Sequence, residues 1–385
     1  MRVLFLNHNQ ERFGTYFRCY NLALALSKKG TQVTLICASG KNIDLLVRTQ
    51  RVNPNFKVIT LPRIKYHQYF TGQILRLFIT ILFVLLANYD ILHAFTVAQP
   101  QIALPALIGK YLRGKKMVVD WDDLWSGGFA DEHSQLVSKT LSYFETNTPR
   151  SADKITYVSH YLEDKIKSLK LSTKSVLIPN GTNPEQFRLI NRLEALKQTG
   201  LSTKYKYLVC VGNTYFENSI RILFAALKHT LKKYPVKLIF VGQFRPFPSV
   251  QKDYDRLKNN IIIVGKVPFE NVLTYLSLSD ILLLPMENTG IDKARFPIRL
   301  GDYLCAGRPI VSNAVGEVKK ILQQYQAGLI SPVSSANNLA QNIQKVLADV
   351  NLAKTLSTNA QKAASLITWN NIAIQLQHVY ENLIS

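Results

Sequence analysis

The sequence predicts an α/β protein made of two Rossmann-like domains in series, and three observations predict it. Short apolar runs alternate with helical patterns from end to end, the signature of βαβ units and parallel sheets. That series starts afresh near Leu208. Between the two series, residues 179–187 (PNGTNPEQF) bring two prolines and a glycine into nine positions, which marks a boundary. A chain of 385 residues accommodates such a pair, at about 100 to 200 residues per domain.

In the first half the expected strands are Val3–Leu6, Val33–Cys37, Ile91–Phe95, Met117–Asp120, Ile155–Val158 and Val176–Ile178. In the second they are Leu208–Gly212, Leu238–Val241, Ile261–Val264, Ile281–Leu284, Ile310–Ser312 and Gly328–Ile330. Their shortness and Val/Ile/Leu content suit strands covered by helices on both faces. A polar helix follows the join near Arg188–Gln198. After Pro332 the pattern is helical, and the last helix, from near Thr368, is expected to return to the first half. The domains are therefore set at 1–180 and 181–367, with 368–385 as the returning helix. Ligands of such sheets bind at the carboxyl ends of strands, so the chemistry is expected in a cleft between domains facing one another.

Charge narrows the partners. Lys plus Arg number 47 against 25 Asp plus Glu, a net charge of +22, which calls for an anionic partner. Residues 1–180 hold 23 bases and 12 acids, half of the excess, and no RNP signature, zinc-finger spacing or basic helix is present, so nucleic acid is not expected. The excess is locally dense. Residues 41–76 contain Lys41, Arg48, Arg51, Lys57, Arg63, Lys65 and Arg76 with the single acid Asp44, and they run into ILRLFITILFVLLA, Ile74–Ala87. This apolar segment of fourteen residues falls short of the roughly 20 that span a bilayer. Two readings stay open for this stretch: a core helix, or a patch lying on an anionic membrane with Tyr66, Tyr69 and Phe70 at the headgroups. The opening apolar run is too short for a signal peptide, so the expected location is cytoplasmic, peripheral on the inner face of the plasma membrane. Cys19, Cys37, Cys210 and Cys305 stand singly and read as small buried hydrophobes, without disulfide or zinc.

Three loops carry candidate chemistry. The first, NHNQERFGTYFR (7–18), has Gly14 before a helix, where backbone amides can face an anion or the glycine can simply serve a tight turn. Neither Gly-x-Gly-x-x-Gly nor a P-loop occurs, which excludes the usual dinucleotide enzymes. The second, DWDDLWSGG (120–128), packs three acids and two tryptophans into six positions. Its Asp-x-Asp, Asp120 to Asp122, formally matches a divalent-metal chelate, but two sheets do not fit the fold that uses one, and no metal is expected. The third follows Asp280–Pro285 as MENTGIDKARFPIRLGDYLCAGRPIVSN. There Arg295 and Arg299 suit a diphosphate, and Asp302, three residues further along a helix, suits ribose hydroxyls.

These segments, with KKGTQVTLI, YDILHAF, VSHYLEDKI, VLIPNGTNPEQF, VGNTYFENS and GKVPFENVLTYLSLSDILLLP, resemble over nearly the whole chain the retaining glycosyltransferases of GT-B architecture with a Glu-x7-Glu motif. The resemblance implies an amino-terminal acceptor domain and a carboxy-terminal domain holding a UDP- or GDP-sugar, with no bound cofactor or metal. It implies transfer, with retention, to a lipid-linked or oligosaccharide acceptor in glycan or glycolipid biosynthesis, by a hexosyl- or N-acetylhexosaminyltransferase. A sugar-nucleotide epimerase and a non-catalytic scaffold of the same fold are the alternatives. Asp302 falls on the second motif Glu, while Ala294 stands where the first belongs, with Asp292 and Glu287 the nearest acids. Asn213 and Asn218 replace the family's Arg and Lys, so Arg295 and Arg299, the latter in a Pro297-x-Arg299 arrangement, are expected on the diphosphate. Gly14, Gly212 and Asn213 complete the expected donor site. Asp122 and Asp123 are the expected catalytic carboxylates.

Overall fold

The computed structural model describes residues 1–41, 43–64, 70–213, 216–244 and 247–384, with side chains from residue 72 onward in the third segment. Lys65, Tyr66 and Tyr69 of the basic-aromatic stretch lie outside the described residues, as does the side chain of Phe70. The chain forms two compact units, Met1–Gly181 with Lys293–Phe296 and Trp369–Ser385, and Thr182–Asp292 with Pro297–Thr368.

The first unit contains β1 (Arg2–Gln10), α1 (Tyr16–Lys28), β2 (Gln32–Ala38), β3 (Arg48–Asn53), β4 (Phe56–Leu61), α2 (Phe70–Leu86), β5 (Ile91–Phe95), α3 (Pro100–Tyr111), β6 (Lys116–Trp121), α4 (Gln135–Ser151), β7 (Lys154–Tyr157), α5 (His160–Ser168) and β8 (Ser175–Leu177). The sheet order is β3-β4-β2-β1-β5-β6-β7-β8, parallel apart from the β3–β4 pair. This order turns outward on both sides of β1 and β5, which is where a doubly wound sheet leaves room for a ligand.

Strands β3 and β4 were not expected. Asn53-Pro54-Asn55 turns one into the other, and β3 is polar and largely exposed at the sheet edge, so it has neither an apolar run nor a buried face to betray it.

The second unit contains α6 (Arg192–Thr199), β9 (Lys206–Val211), α7 (Glu217–Thr230), β10 (Val236–Val241), α8 (Gln251–Leu257), β11 (Ile261–Gly265), α9 (Phe269–Leu278), β12 (Ile281–Leu284), α10 (Gly290–Ala294), α11 (Ile298–Ala306), β13 (Ile310–Ser312), α12 (Gly316–Gln324), β14 (Gly328–Ile330), α13 (Ala336–Ala348) and α14 (Val350–Leu366). Its sheet is wholly parallel, in the order β11-β10-β9-β12-β13-β14. Leu208, Phe240, Leu283 and Val311 meet Ile220, Phe224 and Ile343 from the helices in its core.

The terminal helix α15 (Trp369–Ile384) is part of the first unit. Trp369, Ile372, Leu376 and Tyr380 join Phe5, Leu22, Leu26 and Phe95 in one core. Gly181 makes that approach feasible, because a β-carbon there would lie 2.7 Å from the Trp369 backbone nitrogen. Among the described residues no helix is long and apolar enough to cross a membrane. Cys19, Cys37 and Cys210 are buried free thiols; Cys305 is only half-buried.

Candidate active-site residues

In the first unit the loop after β6 is held from beneath by a buried ion pair. Arg18 of α1 and Asp120 are 1% and 0% exposed and meet through two contacts, Nε to Oδ2 at 2.7 Å and Nη2 to Oδ1 at 2.8 Å. Oδ1 also accepts a short hydrogen bond from Thr156. The other guanidinium donors reach the carbonyls of Ile178 and Pro179 and the side-chain oxygen of Asn180, whose amide in turn donates to the Phe296 carbonyl at 2.6 Å. Both Asp120 oxygens are thus occupied. The Asp-x-Asp spacing does not present two carboxylates for a shared cation.

Asp122 and Asp123 follow on the exposed side of this anchor and are half-buried. Asp122 Oδ2 accepts from the Thr15 hydroxyl at 2.7 Å, while its Oδ1 has no partner among the described residues. Burial, then the charges of Asp123 and Asp120, push the Asp122 carboxyl well above the usual range. Burial also raises Asp123, against the pull of the Arg295 guanidinium.

The loop owes its shape to a residue that the motif reading passed over. Glu145 of α4 is wholly buried and accepts from Trp121 Nε1, the Trp125 and Ser126 backbone amides and Lys165 Nζ, at 3.2, 2.9, 2.7 and 2.8 Å. Its sequence neighbourhood, SYFETN, carries no motif. The only signal was a lone acid amid an otherwise acid-free helix.

Gly14 is exposed at φ +55°, and a β-carbon there would come within 2.7 Å of Asn9 Oδ1, which already accepts from the Thr15 amide at 2.8 Å. Its observed service is therefore to the turn that delivers the Thr15 hydroxyl to Asp122.

In the second unit, Gly212 ends β9 at φ +109°, with Arg299 Nη1 only 3.1 Å from where a β-carbon would stand. Arg299 donates to the Val211 carbonyl at 3.2 Å, and the Val211 amide donates to the Tyr303 hydroxyl at 2.7 Å. Asn213 accepts from the Gln243 amide through its side-chain oxygen at 3.0 Å. Asp302 lies one helical turn beyond Arg299 on α11, half-buried, and burial pushes its carboxyl up to about 7. Gly212, Asn213, Arg299 and Asp302 thus all belong to the second unit.

Arg295, expected beside Arg299, belongs to the Lys293–Phe296 segment of the first unit and acts on Asp123. Ala294, at the position where the resemblance places the first motif acid, is fully buried. Asp292 is buried too and accepts from the Glu287 amide at 2.5 Å, and Glu287 caps α7 by accepting from the Ser219 amide at 2.9 Å.

Residues 14–186 match the family described as Glycosyltransferase Family 4, and residues 191–363 match Glycosyl transferases group 1. Together these two glycosyltransferase models span most of the chain. It is 23% identical over 244 residues to an uncharacterized glycosyltransferase of Methanocaldococcus jannaschii, covering 63% of each chain, so somewhat under two thirds of that relative is spanned. Among solved structures it resembles a sucrose-phosphate synthase of Thermosynechococcus elongatus, with 20% identity, a TM-score of 0.77 and coverage of 99% of this glycosyltransferase and 98% of that chain. It also resembles HepE of Anabaena in complex with UDP, with 17% identity, a TM-score of 0.72 and coverage of 99% and 100%. These likenesses establish the GT-B fold.

Proposed function

We propose that this glycosyltransferase moves a sugar from a nucleotide-sugar to an acceptor hydroxyl, with retention at the anomeric carbon and without a metal ion. The observation that carries the reading is the second-unit constellation of Gly212, Arg299 and Asp302 at the carboxyl end of β9. In it a glycine with positive φ admits close approach, a guanidinium meets a diphosphate, and a carboxylate one turn on receives ribose hydroxyls. The UDP complex of HepE supports a nucleotide diphosphate as the leaving group.

Departure of the diphosphate leaves an oxocarbenium-like centre, and one well-aimed donor on the departing charge is worth about 3 to 4 kcal/mol. The acceptor oxygen bonds to the anomeric carbon as the glycosyl–phosphate bond breaks, and the hydroxyl proton passes to an oxygen base. Asp122 suits that role through its unpartnered Oδ1 and raised pKa. Asp123 and Arg295 set the local charge.

The acceptor is read as a lipid-linked or oligosaccharide hydroxyl met at an anionic membrane, for glycan or glycolipid assembly on the cytoplasmic face. Support comes from α2, which exposes Leu75, Phe78, Leu82 and Leu86, the last two at 55% and 75%, while Lys41, Arg48, Arg51 and Lys57 are exposed nearby in sequence. Arg63 and Arg76, counted above with that basic patch, are buried at 9% and 6% and do not belong to it.

A thermal-shift screen of UDP- and GDP-sugars, followed by NMR assignment of the product anomer, tests the central reading. Stabilisation by one nucleotide-sugar and a product of unchanged anomeric configuration are expected; an inverted product or conversion of donor alone into its epimer would overturn it. Sedimentation with phosphatidylglycerol vesicles tests the surface. Binding that survives replacement of Arg48, Arg51 and Lys57 by Ser would remove the basic patch from it.

A further inference from the structure

Helix α2 is built with its polarity reversed. Its one charged residue, Arg76, is 6% exposed, Thr80 is 3% exposed, and Val84 continues that buried row, while Leu75, Phe78, Leu82, Leu85 and Leu86 are exposed. A guanidinium turned inward normally meets a carboxylate, because an uncompensated buried charge is costly. Arg76 meets none among the described residues. Its Nη2 donates to Gln73 Oε1 at 2.7 Å, its Nη1 reaches the His8 carbonyl at 3.4 Å, and its Nε has no partner. The sequence offers no remedy nearby: residues 45–89 contain six bases and no acid, and the segment 65–69, KYHQY, has none either.

Arg76 lines a narrow crevice with Asn7, His8, Cys37, Thr80 and Gln101, at the carboxyl ends of β1 and β2. The crevice holds about 10 Å³, close to the least that admits one water, so it suits the edge of an oxyanion and not a sugar ring. A second nitrogen-bearing side chain in it, His8, is also incompletely bonded. His8 Nδ1 is buried without a partner, and the ring packs edge-on against Trp125 at 6.1 Å between centroids, which joins the crevice to the loop of Asp122.

We propose that this crevice is the subsite for an anionic group carried by the acceptor, a phosphate or a carboxylate, and that Arg76 is the residue that binds it. The inference rests on the transferase reading and adds the charge class of the acceptor to it. Electrostatics point the same way. Burial and the neighbouring Arg63 charge lower the Arg76 guanidinium to about 10, and burial with the Arg76 charge lowers His8 to about 4. At neutral pH the crevice therefore holds a cation beside a neutral imidazole, and among the described residues no carboxylate pairs with that cation. The planar guanidinium offers two parallel N–H bonds to paired oxygens, which an ammonium does not.

The test is the melting temperature of the full chain, with sodium phosphate or sodium succinate compared with sodium chloride at equal ionic strength, and separately with phosphatidylglycerol against phosphatidylcholine vesicles. Wild type, Arg76→Met, Arg76→Lys and Arg299→Gln are compared. An upward shift is expected in wild type and Arg299→Gln, a smaller one in Arg76→Lys and none in Arg76→Met. In chloride alone, Arg76→Met is expected to melt at or above wild type, since it removes an uncompensated charge; a structural arginine would give a clear drop. Shifts with phosphate or succinate identify a soluble anionic acceptor group, and an Arg76-dependent shift confined to phosphatidylglycerol identifies a lipid headgroup. An equal shift in Arg76→Met, or no anion-dependent shift in wild type in any arm, overturns the proposal. Failure of the transferase reading is visible separately, as loss of stabilisation by every nucleotide-sugar while the Arg76-dependent shift remains.

Discussion

Replacing Asp120 by Asn isolates the buried ion pair beneath the loop that carries Asp122 and Asp123. The substitution keeps the side chain's shape and withdraws the charge that meets Arg18 through two contacts, at 2.7 and 2.8 Å. Arg18 would then remain in the core, 1% exposed, with only neutral oxygens, those of Ile178, Pro179, Asn180 and the new amide, to meet its charge. Removing one partner of a buried pair costs about 3 to 5 kcal/mol. For a unit of this size each kcal/mol moves the melting point by about 2 to 4 °C, so a loss of about 6 to 20 °C is expected.

The assay is unusually clean, because Trp121, Trp125 and Trp369 are the only tryptophans and all lie in the first unit. Intrinsic fluorescence therefore follows that unit alone during thermal or urea unfolding. The double variant Arg18→Met/Asp120→Leu removes both charges and should recover most of the loss. If Asp120→Asn unfolds within about 1 kcal/mol of wild type, or the double variant is no better than the single one, the pair does not hold the loop in the manner argued.

Asp302 gives a pH dependence of definite sign. Its folded pKa of about 7 lies above the ordinary 3.8, so the fold favours the protonated acid. Stability is then greatest below about pH 4, erodes as pH rises toward 7 and is level beyond, by at most about 4 kcal/mol for a shift of this size. Asp302→Asn should accordingly melt higher than wild type at pH 8 while losing nucleotide-sugar affinity. In wild type, calorimetry should show that affinity weakening by up to about tenfold per pH unit below 7. Asp122→Asn should lower the transfer rate by about 100-fold or more with donor affinity unchanged; single-turnover kinetics compare the two. Gly212→Ala forces a side chain to φ +109° and against Arg299, and a loss of donor affinity larger than its effect on melting temperature is expected in titrations monitored by calorimetry.

Much of the fold was legible because it is written in short apolar runs. Val3–Leu6 and Ile281–Leu284 are buried on both faces, and such strands have little alternative. The edge strand β3 was not legible, since RTQRVN is polar and its pairing with β4 is fixed by the turn at Pro54. The site divides in the same way. Arg299 and Asp302 share one helix and their spacing is local, so sequence could place them together. Arg295 could not be separated from them on sequence, because the three residues between Arg295 and Arg299 hide a change of compact unit. Glu145 was passed over, and Arg76 was counted with the basic patch, for a related reason. Their importance lies in which way they point, and a buried acid or an inward arginine looks the same in sequence as a solvated one.

The return of the last helix has a consequence for synthesis. The first unit's core needs Trp369, Leu376 and Tyr380, and Tyr380 also hydrogen-bonds His93 at 2.5 Å in the middle of the sheet. Roughly 190 residues separate Gly181 from that helix, which at about 5 to 20 residues per second is a delay of about 10 to 40 s. The second unit, later in the chain, is complete first. For that interval the nascent first unit has an unfilled groove along α1, and a chaperone or the ribosome surface has that long to act on it.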